Sequence, residues 1–274
     1  MSIIQQRTDQ IMTNEVWWRL GCFFSVLIIM LLLESKRPAR KPPINSNSRW
    51  LVNVGLVVIS SVIARLTVPI GLTTVALYNQ THSIGLFNQI NMPNIAVLIL
   101  SLLLLDILIY WQHRLFHQVP MLWRLHKVHH ADVHVDATTG FRFHPIEIVL
   151  SILIKLVAIS VLGVPAIAVL LFEITLSALA LFNHTNIRLP NIIEKPLRLI
   201  LMTQILHRIH HSQIVTETNS NYGFSVIWWD KIFKSYTAEA KKGDIEIDIG
   251  LTQYPKAMQH SALWALLIMP FKNK

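Results

Sequence analysis

Residues 95–117 read IAVLILSLLLLDILIYWQHRLFH. The apolar run Ile95 to Trp111 follows Pro93-Asn94, a helix-start signal, and is close to the length that crosses a hydrocarbon core. It ends in His113 and His117, four residues apart and therefore on one helix face. A membrane helix that delivers two imidazoles to its end places a polar, metal-competent site at the edge of a bilayer. The rest of the chain fits that reading.

Of 274 residues, 53% are hydrophobic and 14% charged, with a mean hydropathy of +0.47. A soluble domain of this length needs more charge to cover its surface. The formal net charge of +9 is explained by basic loops facing the cytoplasm and anionic lipid. Neither an Arg/aromatic RNA-type motif nor zinc-finger spacing occurs, so nucleic acid is not an expected partner. Cys22 is the single cysteine, which excludes an internal disulfide, a cysteine-ligated iron–sulfur cluster and a cysteine-type zinc site. Metal chemistry here must use histidine and carboxylate.

Outward from the third run, the same logic threads the chain. The first run, Val16 to Leu33, ends in Glu34-Ser35-Lys36-Arg37-Pro38 without a small-residue cleavage site, and reads as a retained anchor. Lys36, Arg37, Arg40, Lys41 and Arg49 form the densest basic segment, which stays in the cytoplasm. The second run, Leu51 to Leu77, carries Arg65 and Pro69; Arg65 snorkels, faces a polar interior or marks a broken helix. Tyr78 to Asn94 holds no Lys or Arg, as expected of the outer side. Ile146–Leu162 and Ala166–Phe182, split by Gly163-Val164-Pro165, read as a helical hairpin. Lys155 and Glu173 are each nine residues from Val164, so antiparallel packing would pair them at similar depth. Short strands are expected around Ile245 to Ile249, and the apolar piece Ala262 to Pro270 is too short to span. The expected fold is therefore an all-α integral membrane protein of four to five transmembrane or membrane-dipping helices with a cytoplasmic, histidine-rich helical cap. Its parts are an anchor and basic loop (1–50), a histidine-bearing domain (51–236) and a tail (237–274).

All thirteen histidines except His82 and His260 lie between residues 113 and 211. Beyond His113 and His117, the clusters are His126-Lys127-Val128-His129-His130 and His207-Arg208-Ile209-His210-His211, whose spacing repeats. His144 and His184 stand alone, each where a segment meets the expected site. His134, His82 and His260 read as bystanders. Ten histidines exceed the four to six ligands of one first-row ion, so two ions are expected, with about five ligands each. Imidazole suits iron, zinc and copper alike. Asp106, seven residues before His113, either fixes a histidine tautomer or is an intramembrane carboxylate satisfied by a neighbouring helix.

The three boxes resemble those of the fatty acid hydroxylase/sterol desaturase superfamily. DILIYWQHRLFH (106–117) resembles its first-box helix and LWRLHKVHHADVHVDATTGFRFHP (122–145) its second box and following histidine. FNHTN (182–186) is similar to its isolated histidine, HRIHHS (207–212) to its third box, and Asn221-Tyr222-Gly223 and Trp229-Asp230 to the sequel. The resemblance covers roughly residues 50–236. It implies a catalytic domain with a non-haem di-iron centre of two Fe2+ ions, for which zinc is a conceivable substitute. The implied ligands are His113, His117, His126, His129, His130, His144, His184, His207, His210 and His211, with Asp106, Asn221, Tyr222 and Asp230 as residues that orient them. It further implies an iron-dependent oxidoreductase that hydroxylates or desaturates a lipid-like substrate from the membrane with O2. The electrons come from an external donor: a cytochrome b5-like protein, a ferredoxin or a reductase. The rival is a histidine-rich membrane protein with structural zinc sites or a metal-handling role and no oxygenase activity; it needs no substrate cavity, and metal handling strings ligands across several depths. Absence of a sorting signal favours a bacterial inner membrane over the endoplasmic reticulum, with the metal site facing the cytoplasm.

Overall fold

The computed structural model describes residues 12–42, 46–253 and 263–272; His260 lies outside them. The first helix, α1 (Glu15–Lys36), is followed by α2 (Ser46–Thr67) and α3 (Leu72–Thr81). Val68-Pro69-Ile70-Gly71 separates these two, and Arg65 Nη1 donates to the Pro69 carbonyl at 2.7 Å. The second apolar run is thus a broken helix, as a proline that cannot donate its backbone hydrogen bond requires. Next come α4 (Asn94–Gln118), α5 (Pro120–His130), α6 (Pro145–Leu162) and α7 (Ala166–His184). Among the described residues, five segments are long and apolar enough to cross a membrane: Glu15–Lys36, Asn47–Asn88, Asn94–Gln118, Pro145–Leu162 and Ala166–His184. Their outward faces expose Phe24, Ile28, Val58, Val62, Val157 and Val161, as lipid contact demands and water does not.

One end of the bundle is closed by a tight contact. Gly163, at φ +68°, ends α6, and Gly85, at φ +91°, lies against it. A Cβ on Gly85 would fall 2.2 Å from the Gly163 nitrogen, so this crossing requires glycine. Gln80 Oε1 accepts from the Ala166 N–H at 3.0 Å and starts α7. In the middle, Lys155 Nζ meets Glu173 Oε1 at 3.4 Å, as the hairpin register predicts, and Arg19 of α1 takes Glu173 Oε2 at 2.6 Å.

The other end carries the cap: α5, then α8 (Asn191–Leu197), α9 (Gln204–His210), α10 (Val215–Thr218) and α11 (Trp228–Ile232). The basic segment packs directly on it. Arg49 Nη1 donates to Asp132 at 2.7 Å and its other amino nitrogen meets Asp136. Glu34 accepts from the backbone of Ala137 and Asn186, at 2.8 and 2.6 Å. Strands are not formed at 245–249: α12 (Gly243–Glu246) leads to a single bridge between Ser212 and Ile249. The terminal apolar piece forms α13 (Leu263–Ile268), whose Leu266 packs with Met269, Leu56 and Val128.

Candidate metal centre

The second and third histidine boxes each split between two groups. Successive residues of an α-helix turn by about 100°, so i and i+4 point nearly together while i+3 falls on the other side of i. In α5, His126 and His130 face one way and His129 another. At α9, His207 and His211 pair, and His210 departs. The boxes cross over: His210 joins His126 and His130, and His129 joins His207 and His211. His113 and His117 of α4 complete the first group, and His184, at the end of α7, the second. The result is His113, His117, His126, His130 and His210 in one group and His129, His184, His207 and His211 in the other, with ligand atoms in each within 4.8 Å of one another. The groups adjoin, with the His130 and His211 rings stacked at 4.4 Å.

Hydrogen bonds decide which nitrogen faces inward. His113 Nδ1 lies 2.8 Å from the Tyr222 carbonyl, His210 Nδ1 2.8 Å from the Ser220 carbonyl and His184 Nδ1 2.7 Å from the Ala180 carbonyl. His126 Nδ1 lies 2.7 Å from Glu147 Oε1. A carbonyl or carboxylate only accepts, so Nδ1 must carry the proton and the Nε2 lone pair is left for a ligand. Among the described residues, Nε2 of His126, His130 and His210 is buried without a hydrogen-bond partner. In the second group, His184 Nε2 lies 3.1 Å from His129 Nε2 and 2.9 Å from His207 Nε2, which is 3.3 Å from His211 Nε2. Four nitrogens around an ion at about 2.1 Å would stand roughly 3.4 Å apart. The donor set therefore fits two metal ions. Burial, and then neighbouring histidines, hold His129, His130, His207, His210 and His211 well below the ordinary imidazole range. They are neutral at pH 7, as metal ligation needs.

His144 is not brought to either group. Its Nδ1 accepts from the Ile146 N–H at 3.2 Å as the cap of α6, and its Nε2–H donates to the Leu267 carbonyl at 3.1 Å. Both nitrogens are occupied, one of them by the tail. His134 sits 3.3 Å from Asn186 Nδ2 instead.

Of the residues expected to orient ligands, Asp106 touches no histidine: its Oδ2 accepts from Trp229 Nε1 at 2.8 Å. Asp230 holds the loop that does. It accepts from the Tyr222 N–H (2.8 Å), the Gly223 N–H (2.7 Å) and Ser235 Oγ (2.6 Å). A Cβ on Gly223 would lie 2.7 Å from Asp230 Oδ2, so glycine permits the grip. Burial pushes the Asp230 carboxyl up to about 6 despite these bonds. Asn221, at φ +52°, ties the same loop to the Leu206 and Thr237 carbonyls at 3.0 and 2.9 Å. Tyr222 also sets its ring against His113, His117 and His210. Two participants escaped the sequence reading. Glu147 was detectable as a carboxylate in the first turn of an apolar helix. Phe143, stacked on His129 at 4.4 Å, gave no such signal.

Beside the first group, a cavity of about 170 Å³ runs between α4 and α6. His113, His126, His129 and His207 line one end, and Ile109, Phe116, Ile152, Leu176 and Phe224 contribute apolar wall.

Apolar spans, a buried polyhistidine centre and an adjoining apolar cavity define a multi-pass membrane protein whose donor set fits metal beside an apolar space. The model of the fatty acid hydroxylase family matches residues 98–235, and the chain belongs to that family. It is 27% identical over 267 residues to the ornithine lipid hydroxylase OlsE of Rhizobium tropici, covering 94% of this chain and 76% of that protein. It is 32% identical over 136 residues to the alkylglycerol monooxygenase of Homo sapiens (48% of this chain, 29% of that protein). The Danio rerio alkylglycerol monooxygenase is 30% identical over 148 residues (52% and 31%). The chain therefore matches less than a third of the length of these two monooxygenases. No solved structure matches it. An oxidoreductase of lipids is the activity class these relatives support.

Proposed function

We propose that the two groups hold two ferrous ions and that the protein hydroxylates a lipid-like membrane substrate with O2 and electrons from an external donor. The observation that carries this reading is the pair of histidine groups, five and four strong, set against an apolar cavity. Purely structural zinc would need no such cavity. The bound ions would supply the activation of O2 that an inert C–H bond requires.

The chain's own residues do the rest. His113, His117, His126, His130 and His210 would hold one ion, and His129, His184, His207 and His211 the other. Glu147 and the Tyr222, Ser220 and Ala180 carbonyls keep protons on Nδ1 and aim Nε2 inward. Burial excludes water, and the apolar walls receive the chain to be oxidised. The activities of the relatives, a hydroxylase and a monooxygenase, support oxygen insertion over desaturation. A cytoplasm-facing centre is supported by the basic segment that packs on the cap, and a bacterial inner membrane by the Rhizobium relative. Residues 51–236 would form the catalytic domain, behind an anchor and basic loop (1–50) and before a tail (237–274).

The test is metal content together with O2 consumption, on detergent-purified protein reconstituted anaerobically with ferrous iron and a chemical reductant. About two irons per chain, with O2 uptake that rises on adding lipid extract, is the expected result. Tightly held zinc that iron cannot replace, with no O2 uptake under any lipid, would overturn it.

A further inference from the structure

The cavity contains a polar seam that begins at Glu147, the partner of His126, and runs on beyond the histidine groups. Glu147, Ser151 and Lys155 recur every four residues on α6 and line it together, so one helix face follows it for about 12 Å away from the metal centre. Across from them, Gln112 of α4 donates from Nε2 to Ser151 Oγ at 3.1 Å. The α4–α6 interface is slight, since α6 packs mainly on α2 and α3, and the cavity occupies the gap.

Two groups in this seam have unspent capacity. Gln112 Oε1 is buried and lacks a hydrogen-bond partner among the described residues. Among the described residues, Lys155 Nζ has only the 3.4 Å contact with Glu173, long for a charge-assisted bond. Arg19 holds the other Glu173 oxygen at 2.6 Å. An ammonium at this depth is costly unless its donors are filled. A plain hydrocarbon would fill the apolar walls and leave Lys155 and Gln112 as they are. A carbonyl oxygen would accept from Lys155, and an amide N–H beside it would satisfy Gln112.

We propose that this cavity binds an acyl chain through its carbonyl end group (carboxylate, ester or amide), with Lys155 donating to the carbonyl oxygen. Lys155 is then the residue that selects acyl lipids over hydrocarbon and alkyl chains, and its distance from the histidines limits which carbon reaches them. This rests on reading the cavity as the substrate site of the proposed oxygenase.

The test uses the full-length, iron-loaded protein in nanodiscs of diether phospholipid, so that the bilayer offers no competing acyl carbonyl. Equilibrium binding of radiolabelled hexadecane, palmitic acid, methyl palmitate and N-methylpalmitamide is measured. One or more of the carbonyl probes should bind roughly tenfold or more tighter than hexadecane, the worth of a hydrogen bond to a charged group. Lys155→Met should abolish that advantage while leaving hexadecane binding in place, and Lys155→Arg should keep it. Preference for the acid alone points to a free fatty acid. Preference for the amide that Gln112→Leu removes points to an amide-linked lipid. Equal binding of all four probes to the unaltered protein overturns the proposal, and that comparison stands even if Lys155→Met fails to insert. So does a carbonyl preference unchanged in Lys155→Met. O2 uptake, read in parallel, separates the two ideas. Carbonyl selectivity without O2 uptake sinks the oxygenase alone, and O2 uptake without selectivity sinks this inference alone.

Discussion

The five-histidine and four-histidine groups both draw on the second and third boxes, yet they are held differently. In the first, His113, His126 and His210 are each gripped at Nδ1 by Tyr222, Glu147 or Ser220. In the second only His184 is gripped, by the Ala180 carbonyl. Nδ1 of His129, His207 and His211 is buried without a partner among the described residues, while Nε2 of His129 and His207 lies 3.1 and 2.9 Å from His184 Nε2 and that of His211 3.3 Å from His207 Nε2. With its proton on Nδ1, His184 Nε2 offers a single lone pair to both the His129 and the His207 nitrogen, a convergence that a cation between them would satisfy. The protein's own hydrogen bonds orient most of the first group, whereas the second would take its orientation from a bound ion.

Removing one ligand from each group is the strongest way to break this contrast. His129→Ala leaves three rings with little to orient them, and its group should lose its ion, taking iron from about two per chain to about one. His210→Ala leaves four rings, two still gripped, and should retain that ion with weakened affinity. Both should lower O2 uptake by more than about 100-fold, beyond the 10–100-fold typical of losing a supporting partner. Iron counting on the two variants tests the asymmetry. Equal metal loss would mean that the grips do not matter.

Acid sharpens the same point. The cap histidines 129, 130, 207, 210 and 211 are held well below 6.5 in the fold, and His134 at about 4, in each case chiefly by burial. Below about pH 6.5 the unfolded chain takes up protons that the folded one refuses, so the fold's advantage is full above that pH and shrinks as pH falls. Chelated protein should therefore melt at progressively lower temperature from pH 7.5 to 5.5, while iron should shift the whole curve upward. A flat melting temperature in the chelated protein would mean that the imidazoles are not buried neutral.

Much of this was legible in the sequence, because the relevant regularities are local. Run length set the spans, charge asymmetry put all clusters on one end, and the spacings within the boxes marked eight of the nine histidines gathered in the two groups, His184 being the isolated one. What escaped depends on tertiary contacts. His144 has ligand chemistry, but both its nitrogens are taken, one by Leu267 from a tail more than a hundred positions away. Asp106 sits two turns before His113, and two turns of drift aim it at Trp229 instead. The apolar alternation at 245–249 found one bridge to Ser212 rather than a strand partner. Glu147 looked like an ordinary first-turn carboxylate until α6 was laid against α5.

Glu147 is the next lever, because the second group has no counterpart to it. Glu147→Leu removes the acceptor that fixes the His126 tautomer and should weaken iron retention in the first group by about 10–100-fold. Glu147→Gln keeps an acceptor oxygen and should fall nearer the lower figure. A chelator competition that resolves two release phases reads this directly: one phase should accelerate and the other should not.

Asp230→Asn should give the smallest effect, and opposing terms explain why. The carboxylate serves the Tyr222 and Gly223 N–H groups with separate oxygens. An amide has one acceptor oxygen, so one N–H is orphaned at a cost of about 1–3 kcal/mol. Burial, however, already penalises this charge enough to push the carboxyl up to about 6, and removing the charge recovers part of that penalty. The net loss should therefore lie near the lower end, about 1 kcal/mol, or a few degrees in Tm. Because the loop carries the Tyr222 carbonyl onto His113 and the Ser220 carbonyl onto His210, any loss of metal should be confined to the first release phase. If both phases change equally, the two groups share one support and the contrast between them fails.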